Sequence, residues 1–440
     1  MKRIKARGKM DERSLYLLEE AILETLESKL TTIETKEELI SHVERIARSI
    51  NPSVTKEDVE KIATDINTFN PINNYLFDED VEDIMINNTN NIFLYTTKSG
   101  AIKAPERIEN RRDLETFVKK LKMYATTDGA NSNIFDVHLP NGSRANIVHS
   151  PMGSDITIRN YRTHALSIID LINKGEMSYN LAGRLWLYSE GMGTRPANLL
   201  IGGLPAAGKT TLLNAMFSFF RPEERIVVIE ETYELNTETQ ENCVRLETSP
   251  SVSTRELVQN TLRMRPDRII IGEVRGEEAK DMITSMNIGR ISMSTIHAST
   301  TREVITRLEH TPMNIERDVI PLIDAIVIIT QTHEEGVMSR KVSQVSEISG
   351  IETQVLLSDL YTYNYKTRKG SDIFPSVTYR DLLSRIAGIT PNEIVAEEQR
   401  RGRILEKLNE LGKRDLKSIN QFCRDYYDDP EAAARRIGVQ

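Results

Sequence analysis

Along the first seventy positions, apolar residues recur at three- and four-residue spacing. Leu15, Leu18, Ile22 and Leu26 in "RSLYLLEEAILETLESKL" make one stripe of a helix, and "NPSVTKEDVEKIATDI" continues the pattern after a break at Pro52. From Pro71 to about Arg162 the texture changes to short runs with turn signals: "VEDIMINNTNNIFLYTTKSG", "IFDVHLPNGSRANIVHS" and "DITIRNYR". Pro140-Asn141-Gly142, set between alternating segments, reads as a hairpin turn. A small α/β domain is expected here.

Beyond a stretch to about residue 185 that reads as a connector, short apolar strands alternate with helical segments: "NLLIGG", "RIVVIEE", "CVRLE", "RIIIGEV" and "ISMSTIH". That alternation predicts a largely parallel sheet. Ser253 with Glu256 and Thr300 with Glu303 read as capping boxes, and Pro266 ends the helix before "RIIIGEV". "VMSRKVSQVSEISGIE" reads as antiparallel strand. From 377 the chain is helical again, with Thr390-Pro391 opening a helix striped by Ile404, Leu405, Leu408 and Leu411. The expected order is a helical region 1–70, an α/β domain 71–165, a linker 166–185, a RecA-like P-loop domain 186–376 and a helical region 377–440.

Composition narrows the function classes. The 440 residues carry a formal charge of −8, which argues against a protein that coats nucleic acid. Cys243 and Cys423 stand far apart with no C-x-x-C, so neither a zinc site nor a disulfide framework is indicated, and a reducing compartment is the simplest one. No apolar run approaches the ~20 residues that span a bilayer, so a soluble or peripheral protein is expected. The basic start "MKRIKARGK" runs into "MDERS" instead of an apolar segment and is no secretory signal; it reads as a solvated tail or a contact with anionic lipid or a partner.

The chemistry concentrates in "LLIGGLPAAGKTTLLNA". Gly203 to Thr210 fits G-x-x-x-x-G-K-[ST], a pattern that chance supplies in roughly one chain of this length in a hundred, with Gly near 7% of residues. The apolar strand entering it and the helix leaving it are the context the pattern needs. Gly203, Pro205, Ala206, Ala207, Gly208, Lys209, Thr210 and Thr211 are therefore expected to bind ATP. Backbone N–H groups would cradle the phosphates, Lys209 would reach the β/γ-phosphates and the Thr210 hydroxyl would ligate Mg²⁺. Glu273 closes "RIIIGEV" as a Walker B carboxylate would, able to polarise water or hold Mg²⁺ through its shell. Glu230, Glu231 and Glu234 close another strand and His297 a third, so all are expected to converge on the P-loop. A GTPase is disfavoured, because Asn173-Lys174-Gly175-Glu176 ends in Glu and precedes the P-loop; a small-molecule kinase is disfavoured for want of an arginine-rich lid.

The run "RIVVIEETYEL…VRLE…LRMRPDRIIIGEVRGEEAKDM…STIHA" resembles the type II/type IV secretion ATPase superfamily in the order Walker A, acidic box, Walker B and histidine box. "VEDIMINN" and "LPNGSRANI…DITIRNYR" resemble its N-terminal domain, above all the tight-adherence and VirB11-like branch, and the helical ending is similar to archaeal members. The resemblance implies a homohexameric ATP motor, peripheral at the cytoplasmic face of the membrane. Its partner would be a polytopic platform protein of a pilus-like or secretion machine, and it would have no stable nucleic-acid partner. It implies further that Glu273 activates water, that Glu230, Glu231 and Glu234 belong to the acidic box, usually Glu-Asp, and that Arg144 and Arg159 reach the phosphates from the preceding domain. The histidine box here opens Gly289-Arg290 instead of Gly-His, leaving His297. Arg245, Arg263 and Arg265 stay open between surface, intersubunit and phosphate roles. A nucleotide-gated scaffold and a nucleic-acid motor are the alternative functions.

Overall fold

The computed structural model describes residues 12–26, 36–96, 99–124, 133–150, 153–160, 165–249, 251–334, 337–373 and 375–439. The chain forms two compact units, residues 1–163 and 164–440.

The first unit opens with α1 (Glu12–Leu26), α2 (Lys36–Ile50) and α3 (Lys56–Ile66). The expected stripe is what they bury: Leu15, Leu18, Ile22 and Leu26 join Val43, Ile62 and Ile66 in a core of their own. Strands β1 (Val81–Asn87), β2 (Asn91–Thr96) and β3 (Gly100–Lys103) follow, then α4 (Arg111–Lys122), β4 (Ile134–His138), β5 (Arg144–Ser150) and β6 (Gly153–Arg159). The strands form one antiparallel sheet in the order β3-β2-β1-β6-β5-β4. The Pro140-Asn141-Gly142 turn joins β4 to β5, with Gly142 at φ 85°. Alternation sends Ile84, Ile86, Leu94, Ile147, Ile156 and Ile158 into a core shared with α4. On the opposite face the register aligns Asp83, Arg159, Arg144 and His138 as one row across four strands. The helical cluster holds to α4 through Glu20, which pairs with Arg112 at 2.9 Å and Lys119 at 3.1 Å.

The second unit begins with α5 (Ile168–Asn173) and α6 (Tyr179–Glu190). This corrects the expected linker at 166–185: Ile168, Ile169, Leu171, Leu181, Leu185 and Trp186 are buried in the main core. Then come β7 (Leu199–Gly202), α7 (Lys209–Met216), β8 (Ile226–Glu230), β9 (Cys243–Glu247), α8 (Thr254–Thr261), β10 (Arg268–Val274), α9 (Glu278–Asn287), β11 (Ile291–Ile296), α10 (Thr301–Glu309) and β12 (Ala325–Glu334). The antiparallel extension β13 (Val337–Ile351), β14 (Val355–Asn364) and β15 (Lys369–Asp372) precedes α11 (Thr378–Ala387), α12 (Pro391–Glu410), α13 (Leu416–Asp428) and α14 (Pro430–Arg436). The sheet order is β15-β14-β13-β12-β7-β11-β10-β8-β9, parallel from β12 to β9. That is the expected RecA-like α/β arrangement, with the P-loop strand β7 flanked by β11 and β12.

Local capping follows the sequence closely. Ser253/Glu256 and Thr390/Glu393 are reciprocal capping boxes. Thr300 caps α10, but the Glu303 carboxylate turns to Ser299 N at 2.8 Å, so that box is only half made. The terminal helices are not a separate region. Gly183 on α6 faces α12 so closely that a Cβ there would lie 2.4 Å from the Glu398 carbonyl and 2.7 Å from Gly402 N. Buried pairs brace this crossing on both sides, Arg184 with Glu398 and Arg401 with Glu190, each at 2.8 Å.

Candidate functional site

Strand β7 delivers the chain into the loop 203–208, and α7 opens at Lys209. Glycine is required at both ends: a Cβ on Gly203 would meet the Ile329 carbonyl at 2.7 Å, and Gly208 sits at φ 99°. Thr210 and Thr211 lie in the first turn of α7, half-buried, where a helix leaves its N–H groups without internal partners. Pro205 and Ala206 are exposed, whereas Ala207 is buried.

Lys209 folds back across this loop. Its Nζ donates to the Gly203 carbonyl at 3.0 Å and the Leu204 carbonyl at 3.3 Å, and lies 3.1 Å from His297 Nδ1. An ammonium only donates, so Nδ1 accepts and the imidazole proton resides on Nε2. That atom stands 2.7 Å from Glu273 Oε1. The contact is not aligned as a hydrogen bond, and Oε1 is a buried carboxylate oxygen without a donor among the described residues. Burial, and then the Lys209 charge, hold His297 below its usual pKa, so the ring is neutral at neutral pH. Burial lowers Lys209 as well, against the pull of Glu273.

The other Glu273 oxygen accepts from Arg275 Nη2 at 2.8 Å, and Arg275 Nη1 reaches Glu231 Oε2 at 3.2 Å. Thus Lys209 at the start of α7 and His297, Glu273, Arg275 and Glu231 at the ends of β11, β10 and β8 form one continuous polar chain. Arg275 went unassigned in the sequence, although a cation two positions past a strand-end glutamate projects to the same side as that glutamate.

Glu230 does not join this chain. Its Oε1 accepts from the backbone N–H groups of Glu234 and Leu235, both at 2.9 Å, and Oε2 is 3.4 Å from Arg245. Neighbouring strand residues point to opposite sides, so Glu231 alone of the pair turns toward Glu273. Arg245 stacks on Tyr233 at 4.1 Å. Arg263 and Arg265 are exposed between α8 and the start of β10, at the end of the sheet opposite the P-loop. Arg144 and Arg159 belong to the first unit, where they pair with Asp136 and Asp83, each at 3.1 Å.

Burial pushes Glu230 up to about 7. Because the folded value lies above the unfolded one, its contribution to stability is full below about 4.5 and lost as pH rises through about 7. Glu230→Gln keeps an acceptor for both backbone donors and cannot ionise. The variant should unfold at a higher temperature than the parent at pH 8, with the gap closing as pH falls toward 4.5. Parallel melting curves across that range would refute this.

Comparison with known proteins places the chain. A family model described as "Type II/IV secretion system protein" matches residues 66–341, well over half of the sequence. The chain belongs to this family. An uncharacterized protein of Methanocaldococcus jannaschii is 30% identical over 346 residues, which cover 74% of this chain and 62% of that protein. A second from the same organism is 34% identical over 228 residues, 49% of this chain and 31% of its own length. The chain therefore spans less than two thirds of either. The type IV secretion system protein VirB11 of Bartonella henselae is 28% identical over 55% of this chain and 79% of its own. Among solved structures, the Legionella pneumophila ATPase DotB covers 79% of this chain and 92% of its own at 15% identity, with a TM-score of 0.48.

The residues around the P-loop suit a phosphate-bearing ligand. The backbone turns into α7 between two glycines, Thr210 stands half-buried in the first turn of that helix, and Glu273 offers a buried oxygen without a donor among the described residues. Among the described residues no group of three or more His, Cys, Asp or Glu could hold a metal ion. No helix among them is long and apolar enough to cross a membrane.

Proposed function

We propose that this chain is an ATP-hydrolysing motor of a pilus-like or secretion machine, working as a homohexamer against a polytopic membrane platform protein at the inner face of the membrane. The observation that carries the catalytic part is the Lys209–His297–Glu273–Arg275–Glu231 chain at the mouth of the P-loop. Gly203, Pro205, Ala206, Ala207, Gly208, Lys209, Thr210 and Thr211 would bind ATP, and Thr210 with Glu273 would hold Mg²⁺, which neutralises charge developing on the phosphates. Lys209 would exchange the Gly203 and Leu204 carbonyls for phosphate oxygens. Glu273 would take the proton from attacking water, and Arg275 would keep that carboxylate oriented. Family membership and the order of the boxes along the chain support the motor reading over a passive scaffold, because a scaffold needs no water-activating carboxylate.

The direct test is Lys209→Ala. Removing the buried cation from the phosphate cradle should weaken ATP and ADP binding by roughly ten- to a hundredfold, the scale of charge-assisted hydrogen bonds. Titration with a fluorescent nucleotide reads it. Parent-like binding and phosphate release in the variant would overturn the assignment of the P-loop.

A further inference from the structure

Leu204, Pro205, Ala206 and Ala207 form a tight turn closed by the Ala207 N–H on the Leu204 carbonyl at 3.2 Å. Pro at the second position and a positive φ at the third are the marks of a type II turn, which ordinarily places Gly or Asn third. Here the third residue is Ala206, at φ 60°. A side chain in that region is strained, and something outside the turn has to hold it.

The Arg340 Nε–H donates to the Ala206 carbonyl at 3.1 Å. The stem of the same side chain lies against Gly208, where an added Cβ would meet Arg340 Cδ at 3.1 Å. Arg340 thus touches both the strained turn and the glycine that opens α7. Its own place is fixed by β13, where it pairs opposite Gln331 of β12. The next two residues are tied to the turn after α5: Lys341 Nζ donates to the Gly175 carbonyl at 2.9 Å and Val342 N to the Glu176 carbonyl at 2.8 Å.

We propose that Arg340 is a positioning residue for nucleotide binding, clamping Ala206 in its left-handed conformation so that the loop holds its phosphate-accepting shape before ligand arrives. The proposal rests on the reading of 203–208 as a nucleotide cradle. It acts through backbone geometry and assigns the guanidinium no phosphate of its own.

Arg340→Met keeps the packing on Gly208 and deletes the donor. KM for ATP and Kd for ADP should rise together, roughly tenfold for a lost charge-assisted bond, with kcat within about threefold of the parent. Adenosine binding, which needs no phosphate cradle, should not change. Adding Ala206→Gly to Arg340→Met should recover most of the lost affinity, because glycine adopts positive φ without a clamp. Arg340→Lys, which retains the charge and lacks the Nε donor, should resemble Arg340→Met. The proposal is overturned if ADP affinity is unchanged while ATP affinity falls, which would make Arg340 a γ-phosphate contact. It is overturned equally if Ala206→Gly restores nothing or if adenosine is lost in step with ADP. Failure of the parent protein to bind either nucleotide would instead sink the nucleotide reading itself.

Discussion

Glu273→Gln should bind ATP with near-parental affinity and hydrolyse it 10²- to 10⁴-fold more slowly, the usual worth of a general base. The amide preserves the shape and still accepts from Arg275, so the 2.8 Å contact that fixes the side chain survives. What is lost is the carboxylate at Oε1, the oxygen that is buried and without a donor beside His297. Single-turnover phosphate release with saturating nucleotide isolates the chemical step from binding. Turnover at the parental rate would remove Glu273 from catalysis, and a parallel loss of ATP affinity would mean that its part in holding Mg²⁺ outweighs its part in taking the proton.

The features legible in the sequence are those encoded locally. The P-loop, the strand-end carboxylates and His297 are each readable because strand, turn and helix signals surround them within a few residues, and a parallel sheet delivers strand ends to one edge. The features missed are encoded at a distance. "LSIIDLINKGEMSYNLAGRLWLYSEG" mixes apolar residues with Gly, Asn and Ser and reads as a connector. Gly183 makes sense only once α12, more than two hundred residues later, is found lying against it. Glu230 and Glu231 look equivalent in sequence, yet alternation along the strand and the free N–H groups of Glu234 and Leu235 divide them, one into the turn and one toward Glu273. Arg340 lies on a strand far along the chain from the loop it contacts, and nothing in "VMSRK" announces a partner at Ala206.

The Arg144→Ala/Arg159→Ala double variant should keep ADP affinity close to the parent's and lose ATP turnover by about 10³-fold or more, the scale on which an arginine stabilises a transferring phosphoryl group. The register places the two residues directly opposite each other on β5 and β6, so their guanidinium groups start from adjacent points on one face. Their ion pairs with Asp136 and Asp83 are at the surface, with the arginine side chains 39% and 70% exposed. Exposed pairs of this kind are worth little, so exchanging a carboxylate for a phosphate oxygen costs almost nothing. Two forks on one face suit the several oxygens of a γ-phosphate better than one would. Both belong to the unit that does not carry the P-loop, so the double variant tests whether that unit is needed for turnover. Spin labels on the two units should report an ATP-dependent change of distance in the parent and none in the double variant. An unaltered response in the variant would make these surface arginines, and a loss of ADP binding would place their effect on the cradle instead of on the γ-phosphate.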